Sequence, residues 1–205
     1  GEYTISVVAT PADASSQASD PGTAKLTVAE ASTGSGTALA WGADDFTAVW
    51  AGFANSTEDI NAAALATMTE TADLKKDADG FTYKGLSFLF GGGKFKFGQN
   101  NNADGVKATR FQYGGTGSTS KQCVSFTVDA PGTLVVEAVS GGDAARPLAV
   151  AVDGTELLTQ DTPDKMQNAA KLTYNCLSAS AGSKITIYSK NSGINVFSIT
   201  WTPSK

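Results

Sequence analysis

Hydrophobic and polar residues alternate in short runs along most of the chain, which is the pattern of strands that bury one face. Clear runs lie at 3–9 (YTISVVA), 23–29 (TAKLTVA) and 106–114 (VKATRFQYG). Turn residues separate such runs, as at 130–132 (APG) and 153–154 (DG), where proline and glycine favour tight hairpins. About ten strands, with turns at intervals of roughly eight to twelve residues, indicate an all-β fold. We expect a β-sandwich of the jelly-roll type.

Only one segment carries a clear helix start signal. Ser56 is followed three positions later by Asp59, a pairing that resembles a capping box, and an alanine-rich run begins at Ala62. The pattern predicts a short helix after Ser56 and almost no helix elsewhere.

The first part of the chain forms a pattern of its own. The alternating runs at 3–9 and 23–29 flank a polar loop with a proline near each end, which predicts a β-hairpin. This hairpin resembles the last two strands of bacterial immunoglobulin-like modules, and a lone hairpin is only marginally stable in water. We therefore expect an immunoglobulin-like hairpin at 1–30, docked or part of a larger module, a linker at 31–38 and a jelly-roll sandwich at 39–205.

Composition narrows the classes of function. The net charge is −5 and the pI is about 4.7, so the chain lacks the basic surface that nucleic-acid binding needs. No run approaches the ~18 apolar residues of a membrane-spanning helix, and we expect neither a nucleic-acid partner nor a membrane span. The chain contains no histidine, which excludes histidine as a general base or as a metal ligand.

The two cysteines, Cys123 and Cys176, both lie in strand-like segments. They are too far apart in sequence for a CxxC redox pair and too few for a thiolate zinc site. Two interpretations stay open at this point: free thiols in the core, or a disulfide across strands in an exported protein.

Acidic residues offer little for metal binding or catalysis. The DADG segment at 77–80 resembles the start of a calcium loop, but it lacks the distal glutamate of an EF-hand. A structural calcium ion is thus the one alternative to our expectation that no metal or cofactor is bound. Asp44 and Asp45 are adjacent, and adjacent residues of a strand point to opposite faces, so they fail as the paired acids of a glycosidase.

Several segments together resemble the jelly-roll modules of Bacteroidetes surface proteins, which occur beside pectate lyases and pectinesterases and are similar to carbohydrate-binding modules. They are ATRFQYGGTGS (108–118), FTVDAPGTLVVEAVS (126–140), RPLAVAVDGTE (146–156) and SAGSKITIYSKNSGINVFSITW (180–201). The resemblance implies an extracytoplasmic protein, at the cell surface or secreted. It also implies a glycan or polysaccharide partner, other surface modules as further partners, and no catalysis of its own.

The last hairpin supplies the first candidate for ligand binding. The turn at 192–193 precedes Asn195, and strand alternation predicts that Asn195 shares a face with Phe197, Ile199 and Trp201. If those three side chains face the core, Asn195 lies at the open end of that face. An amide both donates and accepts hydrogen bonds, which suits a sugar hydroxyl.

Cationic side chains supply the second group of candidates. Arg110 lies in an alternating strand, and an arginine that points inward must meet a carboxylate or a ligand. Together with Arg146, Lys94, Lys96 and Lys190 it is expected to frame an acidic sugar, because a guanidinium binds a carboxylate through two parallel hydrogen bonds.

Aromatic rings are the third group, because sugars stack their flat C–H faces on exposed rings. Tyr113 precedes the glycine-rich segment 114–118, which is expected at the surface, and Tyr188 begins the last hairpin. We predict that one of these two tyrosines is the stacking platform.

Three functional hypotheses follow from the sequence. The leading one is a non-catalytic, extracytoplasmic module for glycan binding or adhesion. The alternative is a structural spacer or assembly component of a cell-surface complex, since the linker and hairpin at 1–38 suit a modular protein. A polysaccharide lyase or hydrolase ranks third, because no catalytic motif supports it.

Overall fold

The computed structural model describes the backbone of residues 2–7 and 22–27 and the full structure of residues 36–204. The chain divides into two compact units, Gly1–Thr33 and Gly34–Lys205. In the first unit, β1 (Glu2–Val7) pairs antiparallel with β2 (Gly22–Thr27). The immunoglobulin-like character of this hairpin stays a prediction, and most of the predicted linker lies outside the described residues.

The regular secondary structure of the second unit is almost entirely β-strand. The strands are β3 (Leu39–Trp41), β4 (Leu74–Asp77), β5 (Gly80–Tyr83), β6 (Leu86–Leu89), β7 (Phe95–Asn101), β8 (Lys107–Tyr113), β9 (Cys123–Thr127), β10 (Gly132–Ser140), β11 (Arg146–Val152), β12 (Thr155–Thr162), β13 (Ala170–Cys176), β14 (Lys184–Ser189) and β15 (Ile194–Pro203). A helix, α1 (Ala43–Gly52), and a 3₁₀ turn at Ala62–Ala66 complete this unit. Within the described ranges, neither is long and apolar enough to cross a membrane.

The strands form two antiparallel sheets. Sheet I has the order β13-β10-β15-β8-β7, with β3 also paired to β15, and sheet II has the order β12-β11-β14-β9-β6-β5-β4. Rings from the two sheets meet between them: Phe88 of sheet II lies edge-on to Phe111 of sheet I, with 5.2 Å between ring centroids. The predicted all-β sandwich of jelly-roll type is confirmed.

The core is rich in aromatic side chains. Phe81 stacks on Phe88 at 4.5 Å between centroids, and Phe97 and Phe111 pack around them. Each of these rings is almost fully buried. Offset and edge-to-face pairs of this kind add to the free energy gained from burying the rings.

A β-bulge in β15 changes the expected faces of the last strand. Val196 pairs with Ala138 and Ser198 pairs with Glu137, so Phe197 is an extra residue without a partner in β10. Ile199 and Trp201 face the main core as predicted. Phe197 instead packs on the outer side of sheet I, in a small separate cluster. The prediction that Phe197, Ile199 and Trp201 share one face is therefore wrong.

The helical prediction also needs correction. The Ser56 hydroxyl accepts a hydrogen bond from the Glu58 amide, within a local turn rather than at the start of an α-helix. A 3₁₀ turn follows, capped by Asn61. The α-helix α1 begins earlier, where the Asp45 carboxylate accepts from the Gly42 N–H at 3.0 Å, and it packs Phe46 against Phe111.

Both cysteines are free, buried thiols. Cys123 belongs to a small cluster with Ala149, Ala151 and Tyr188, whereas Cys176 belongs to the main core between the sheets. The alternative of a disulfide between Cys123 and Cys176 is wrong, because their side chains lie in different clusters. Burial raises the pKa of each thiol to about 11.

Candidate functional site

Two adjoining clefts open among the loops at one end of the sandwich. The wide cleft has a volume of about 600 Å³. The narrow cleft has a volume of about 290 Å³, and both clefts share Lys94 and Gly114. The wide cleft is lined by Asn61, Ala62, Ala63, Gly92, Gly93, Lys94, Gly114, Gly115, Thr116, Lys121 and Gln122. The narrow cleft is lined by Lys94, Lys96, Gln112, Tyr113, Gly114, Gly141, Arg146, Ser192 and Gly193.

Strand pairing explains why these loops meet. Phe95 at the start of β7 lies opposite Tyr113 at the end of β8, so the loops flanking both residues emerge at the same end. The segment before the 3₁₀ turn is fixed there as well, because Ile60 and Phe95 exchange backbone hydrogen bonds of 2.8 Å.

Gln122 is the most unusual residue of the wide cleft. Its backbone has a φ of 45°, a left-handed conformation that is uncommon for a residue other than glycine. The residue is 2% exposed, and no residue in the described part of the chain accepts a hydrogen bond from its Nε2. A buried donor without an acceptor is costly, and backbone strain of this kind is concentrated at functional sites.

Glycines make room for this amide. A Cβ atom on Gly93 would lie 2.7 Å from Gln122 Oε1, and one on Gly115 would lie 3.4 Å from the same atom. A side chain at Gly93 would therefore push the amide out of place. The backbone amide of Gln122 is itself fixed, since it donates to the Phe90 carbonyl at 2.9 Å.

The rest of the wide cleft combines polar side chains with a larger apolar surface. Asn61 is held in place because its Oδ1 accepts from the Ala63 amide at 3.0 Å. Ala62 and Ala63 supply the methyl groups, and Thr116 and Lys121 supply further hydrogen-bonding groups. None of the described residues that line this cleft is aromatic.

The narrow cleft is basic. Lys94 Nζ donates to Asp59 Oδ2 at 2.5 Å, and Lys96 Nζ lies 3.1 Å from Asp59 Oδ1. The hydrogen bond from Lys94 and the nearby ammonium group of Lys96 lower the pKa of Asp59. Arg146 donates from Nη1 to the Gly193 carbonyl at 2.6 Å. Among residues 36–204 no carboxylate pairs with Arg146.

Neither Arg110 nor Asn195, both predicted to bind the ligand, lines the narrow cleft, although Arg110 lies on β8, which contributes to it, and Asn195 lies on β15, just after the turn at 192–193 that lines it. Gln112, which lines the cleft, pairs with Lys96 on one side and with Asn195 on the other. Asn195 is 3% exposed. Arg110 donates from Nη1 to the Lys96 carbonyl at 3.2 Å, and burial lowers the pKa of Arg110 to about 10. Within the described structure, Arg110 Nε and Asn195 Oδ1 have no hydrogen-bond partner.

Both predicted stacking platforms are wrong. Tyr113 is fully buried among the core rings, and its hydroxyl donates to the Ile187 carbonyl at 2.9 Å. Tyr188 is 5% exposed, and its hydroxyl donates to Glu156 at 2.6 Å. Strand alternation, which turns Tyr113 into the core, outweighs the surface position of the glycine-rich loop that follows it.

Lys190 belongs to a different surface from the clefts. Its ammonium group pairs with Glu156 at 2.8 Å, next to the Tyr188 hydroxyl. The hydrogen bond from Lys190, with that from Tyr188, lowers the pKa of Glu156 to about 2. The structure therefore brings together Lys94, Lys96 and Arg146 of the predicted cationic group and leaves Lys190 outside the clefts.

The predicted calcium segment is occupied by internal hydrogen bonds. Asp77 accepts from the Thr82 hydroxyl, and Asp79 accepts from the Gly91 amide. Across the described part of the chain, no three acidic or cysteine side chains converge in a way that would hold a metal ion.

Sequence reasoning missed Gln122 and Asn61. The glycine-rich runs at 91–93 and 114–117 predict surface loops, but nothing in the sequence shows that they enclose a glutamine in the left-handed region. Asn61 directly precedes the alanine-rich run, and asparagine is a preferred helix N-cap. This capping pattern is the sequence signal that could have drawn attention to Asn61.

No protein-family model matches the chain, and no curated protein sequence matches it significantly. Among solved structures it is similar to a family 35 carbohydrate-binding module from Clostridium thermocellum, with 18% identity, 54% of this chain and 88% of that chain covered, and a TM-score of 0.40. It is also similar to the C-terminal CBM6 of the laminarinase LamC from Zobellia galactanivorans, with 16% identity, 52% and 87% covered, and a TM-score of 0.37.

A third similar structure is the CBM22-1–GH10 part of xylanase 10B from Clostridium thermocellum, complexed with xylohexaose. The identity is 13%, 59% of this chain and 26% of that chain are covered, and the TM-score is 0.44. All three identities are below 20% and all three TM-scores are below 0.5, so these likenesses establish neither a family nor a ligand for this chain.

Proposed function

We propose that this protein is a non-catalytic glycan-binding module and that the sugar binds in the wide cleft. The observation that carries the proposal is the buried Gln122 amide, which lines the cleft and has a donor without an acceptor. Nε2 is covered in the unbound protein, so a glycan would satisfy it by drawing the amide towards the cleft, where a sugar hydroxyl accepts the hydrogen bond.

The dimensions and lining of the cleft support the same ligand class. A volume of about 600 Å³ lies within the usual range for small-ligand sites. Asn61, Thr116 and Lys121 offer further hydrogen-bonding groups, and the methyl groups of Ala62 and Ala63 offer a small apolar surface for sugar C–H groups. Without an exposed ring in this lining we expect modest affinity, because a small contact area leaves little surplus over the costs of association.

The titratable groups of the wide cleft favour binding over hydrolysis. They are Lys94 and Lys121, and Lys94 is held by Asp59. Glycoside hydrolysis ordinarily uses two carboxylic acids on either side of the scissile bond, and the described lining of this cleft contributes neither. We assign the module to an extracytoplasmic setting, at the cell surface or secreted, with glycan capture or adhesion as its role.

The test is calorimetric titration of neutral and acidic oligosaccharides into the wild type and into Gln122→Asn. Asparagine tolerates the left-handed backbone but withdraws the amide by one methylene, so we expect binding to weaken about tenfold, a loss of roughly 1.4 kcal/mol. Gln167→Asn is the matched control, because Gln167 is exposed and bonds to Asp164 away from the clefts. Equal affinities for wild type and Gln122→Asn, or no binding to any glycan, would contradict the proposal.

A further inference from the structure

The narrow cleft concentrates positive charge on a protein whose overall charge is negative. Lys94, Lys96 and Arg146 line it, and Asp59 is the carboxylate that pairs with two of these three cations. The whole chain has a net charge of −5. A local cluster of cations inside an acidic molecule is evidence for binding of an anionic group, since general solubility needs no such cluster.

The backbone around Arg146 holds its guanidinium in place. A Cβ atom on Gly142 would lie 2.3 Å from Arg146 Nη2, so a larger residue there would displace the guanidinium from its present position. One of its five N–H donors is used on the Gly193 carbonyl at 2.6 Å. The remaining donors have no carboxylate partner in the described structure, and Arg146 stays half-buried beside the cleft.

The Gln112 amide is accommodated in the same way. A Cβ atom on Gly141 would lie 2.3 Å from Gln112 Nε2, and one on Gly193 would lie 2.8 Å from it. Glycines at 141, 142 and 193 thus clear space around the amide of Gln112 and the guanidinium of Arg146. Both groups donate hydrogen bonds, which suits an oxyanion.

The Asp59 carboxylate pairs with Lys94 and Lys96 in the way that the carboxylate of a bound ligand would. Its contact with Lys94 is short at 2.5 Å, whereas Lys96 lies 3.1 Å away. The Asp59 side chain is 32% exposed and both lysine side chains are 44% exposed, so solvent reaches the two lysines, while Asp59 Oδ1 itself is covered. An exposed ion pair contributes little to stability and is readily exchanged.

We propose that the narrow cleft is an anion subsite for a carboxylate or sulfate substituent of the glycan, and that Asp59 is the internal anion which this substituent displaces from Lys96. Arg146 and Gln112 then donate to the ligand oxyanion while Lys94 keeps its bond to Asp59. The assignment of the anion to a glycan rests on the proposed function. The subsite itself is testable with a simple anion.

The experiment follows the backbone and arginine Nε resonances of the labelled protein by NMR while sodium sulfate or sodium acetate is added at constant ionic strength. We expect saturable shifts at Arg146, Gln112 and Gly193. Arg146→Gln is expected to abolish saturation, and Asp59→Asn is expected to strengthen binding about three- to tenfold because the competing carboxylate is gone. Asp77→Asn is the control. It removes one negative charge from a carboxylate that bonds to the Thr82 hydroxyl, and it is expected to leave anion binding unchanged.

Two outcomes would overturn the subsite: shifts that spread over surface lysines without saturation, or an Asp59→Asn variant that binds sulfate no better than Asp77→Asn. Titration with uronate-containing, sulfated and neutral oligosaccharides then separates this inference from the proposed function. Binding of neutral and acidic sugars with equal affinity would leave the wide cleft as the glycan site and refute the anion subsite. Saturable sulfate binding without binding of any glycan would refute the glycan module and support the subsite.

Discussion

At the scale of single residues, the structure couples carboxylates to cations at the surface. Glu156 is the clearest case, because Lys190 and Tyr188 both donate to it and its pKa falls to about 2, from an ordinary value of 4.5. A carboxyl group whose folded-state pKa is lowered stabilises the protein above its unfolded pKa. That contribution is lost as the pH falls from about 4.5 towards 2.

This pH dependence is measurable by NMR titration of the glutamate side chain. In Lys190→Met the largest cause of the shift is removed, so we expect the midpoint of Glu156 to rise towards its ordinary value. Lys171→Met, which removes an exposed lysine from β13, is the control and is expected to leave the midpoint unchanged. An unchanged midpoint in Lys190→Met would show that the ion pair does not form in solution.

The identity of the residues alone was enough to predict part of the candidate site. Lys94 and Arg146 were predicted from their charge, and they do line one cleft. Tyr113 and Tyr188 were predicted as exposed rings, but exposure depends on which face of a strand each residue occupies and on what covers that face. The role of Gln122 depends on a left-handed backbone, on Gly115 of its own loop and on Gly93 of the loop before β7, and the contact with Gly93 is distant in sequence.

At the scale of elements, the bulge at Phe197 sets which side chains of β15 enter the core. It separates Ile194 and Val196 from Ile199 and Trp201 by one extra residue, and all four face inward. Regular alternation from Ile194 would turn Ile199 and Trp201 outward, since a shift of one residue exchanges the faces of a strand.

Deletion of Phe197 tests this role of the bulge. We expect the deletion variant to keep its cooperative thermal unfolding and its near-ultraviolet circular dichroism, because without the extra residue Ser198 follows Val196 directly and Ile199 and Trp201 still face the core. Phe197→Ala keeps the register and loses the contact with Val139 and Ala169, so we expect it to remain folded with about 3 kcal/mol less stability. A deletion variant that loses cooperative unfolding while Phe197→Ala stays folded would contradict the assignment of Phe197 as the extra residue of the bulge.

Helix α1 shows why some elements escape prediction. Its N-cap is Gly42, and the stabilising bond comes from Asp45 three residues later rather than from a side chain at the cap. The sequence at Ser56 offers a better cap pattern but leads only to a 3₁₀ turn. Helix α1 is stabilised by the packing of Phe46 on Phe111. This is a tertiary contact, so local helix propensity does not reveal it.

At the scale of the whole molecule, alternation and turn spacing were enough to predict a β-sandwich. They did not predict the order of strands in each sheet, because pairing partners such as β15 and β8 are far apart in sequence. The end of the sandwich where the loops meet follows from that order, so the two clefts became visible only with the structure.

The aromatic core joins the two sheets into one folding unit. Phe88 is 1% exposed and contacts rings from both sheets, so its truncation leaves a cavity that neighbouring rings fill poorly. We expect Phe88→Ala to cost about 3–5 kcal/mol in the free energy of unfolding, measured by chemical denaturation. Val106→Ala, at a residue that is 60% exposed, is the control and should stay within about 0.5 kcal/mol of the wild type. A small loss for Phe88→Ala would contradict a shared core.

The most direct measurement of the central claim is an NMR map of chemical-shift changes with an oligosaccharide that binds in calorimetry. The account predicts that the largest saturable changes fall on the side-chain amide of Gln122, on Asn61 and on the backbone of Gly93, around the wide cleft. Changes centred on Tyr188 and Lys190, or on the outer face of sheet I around Phe197, would contradict it.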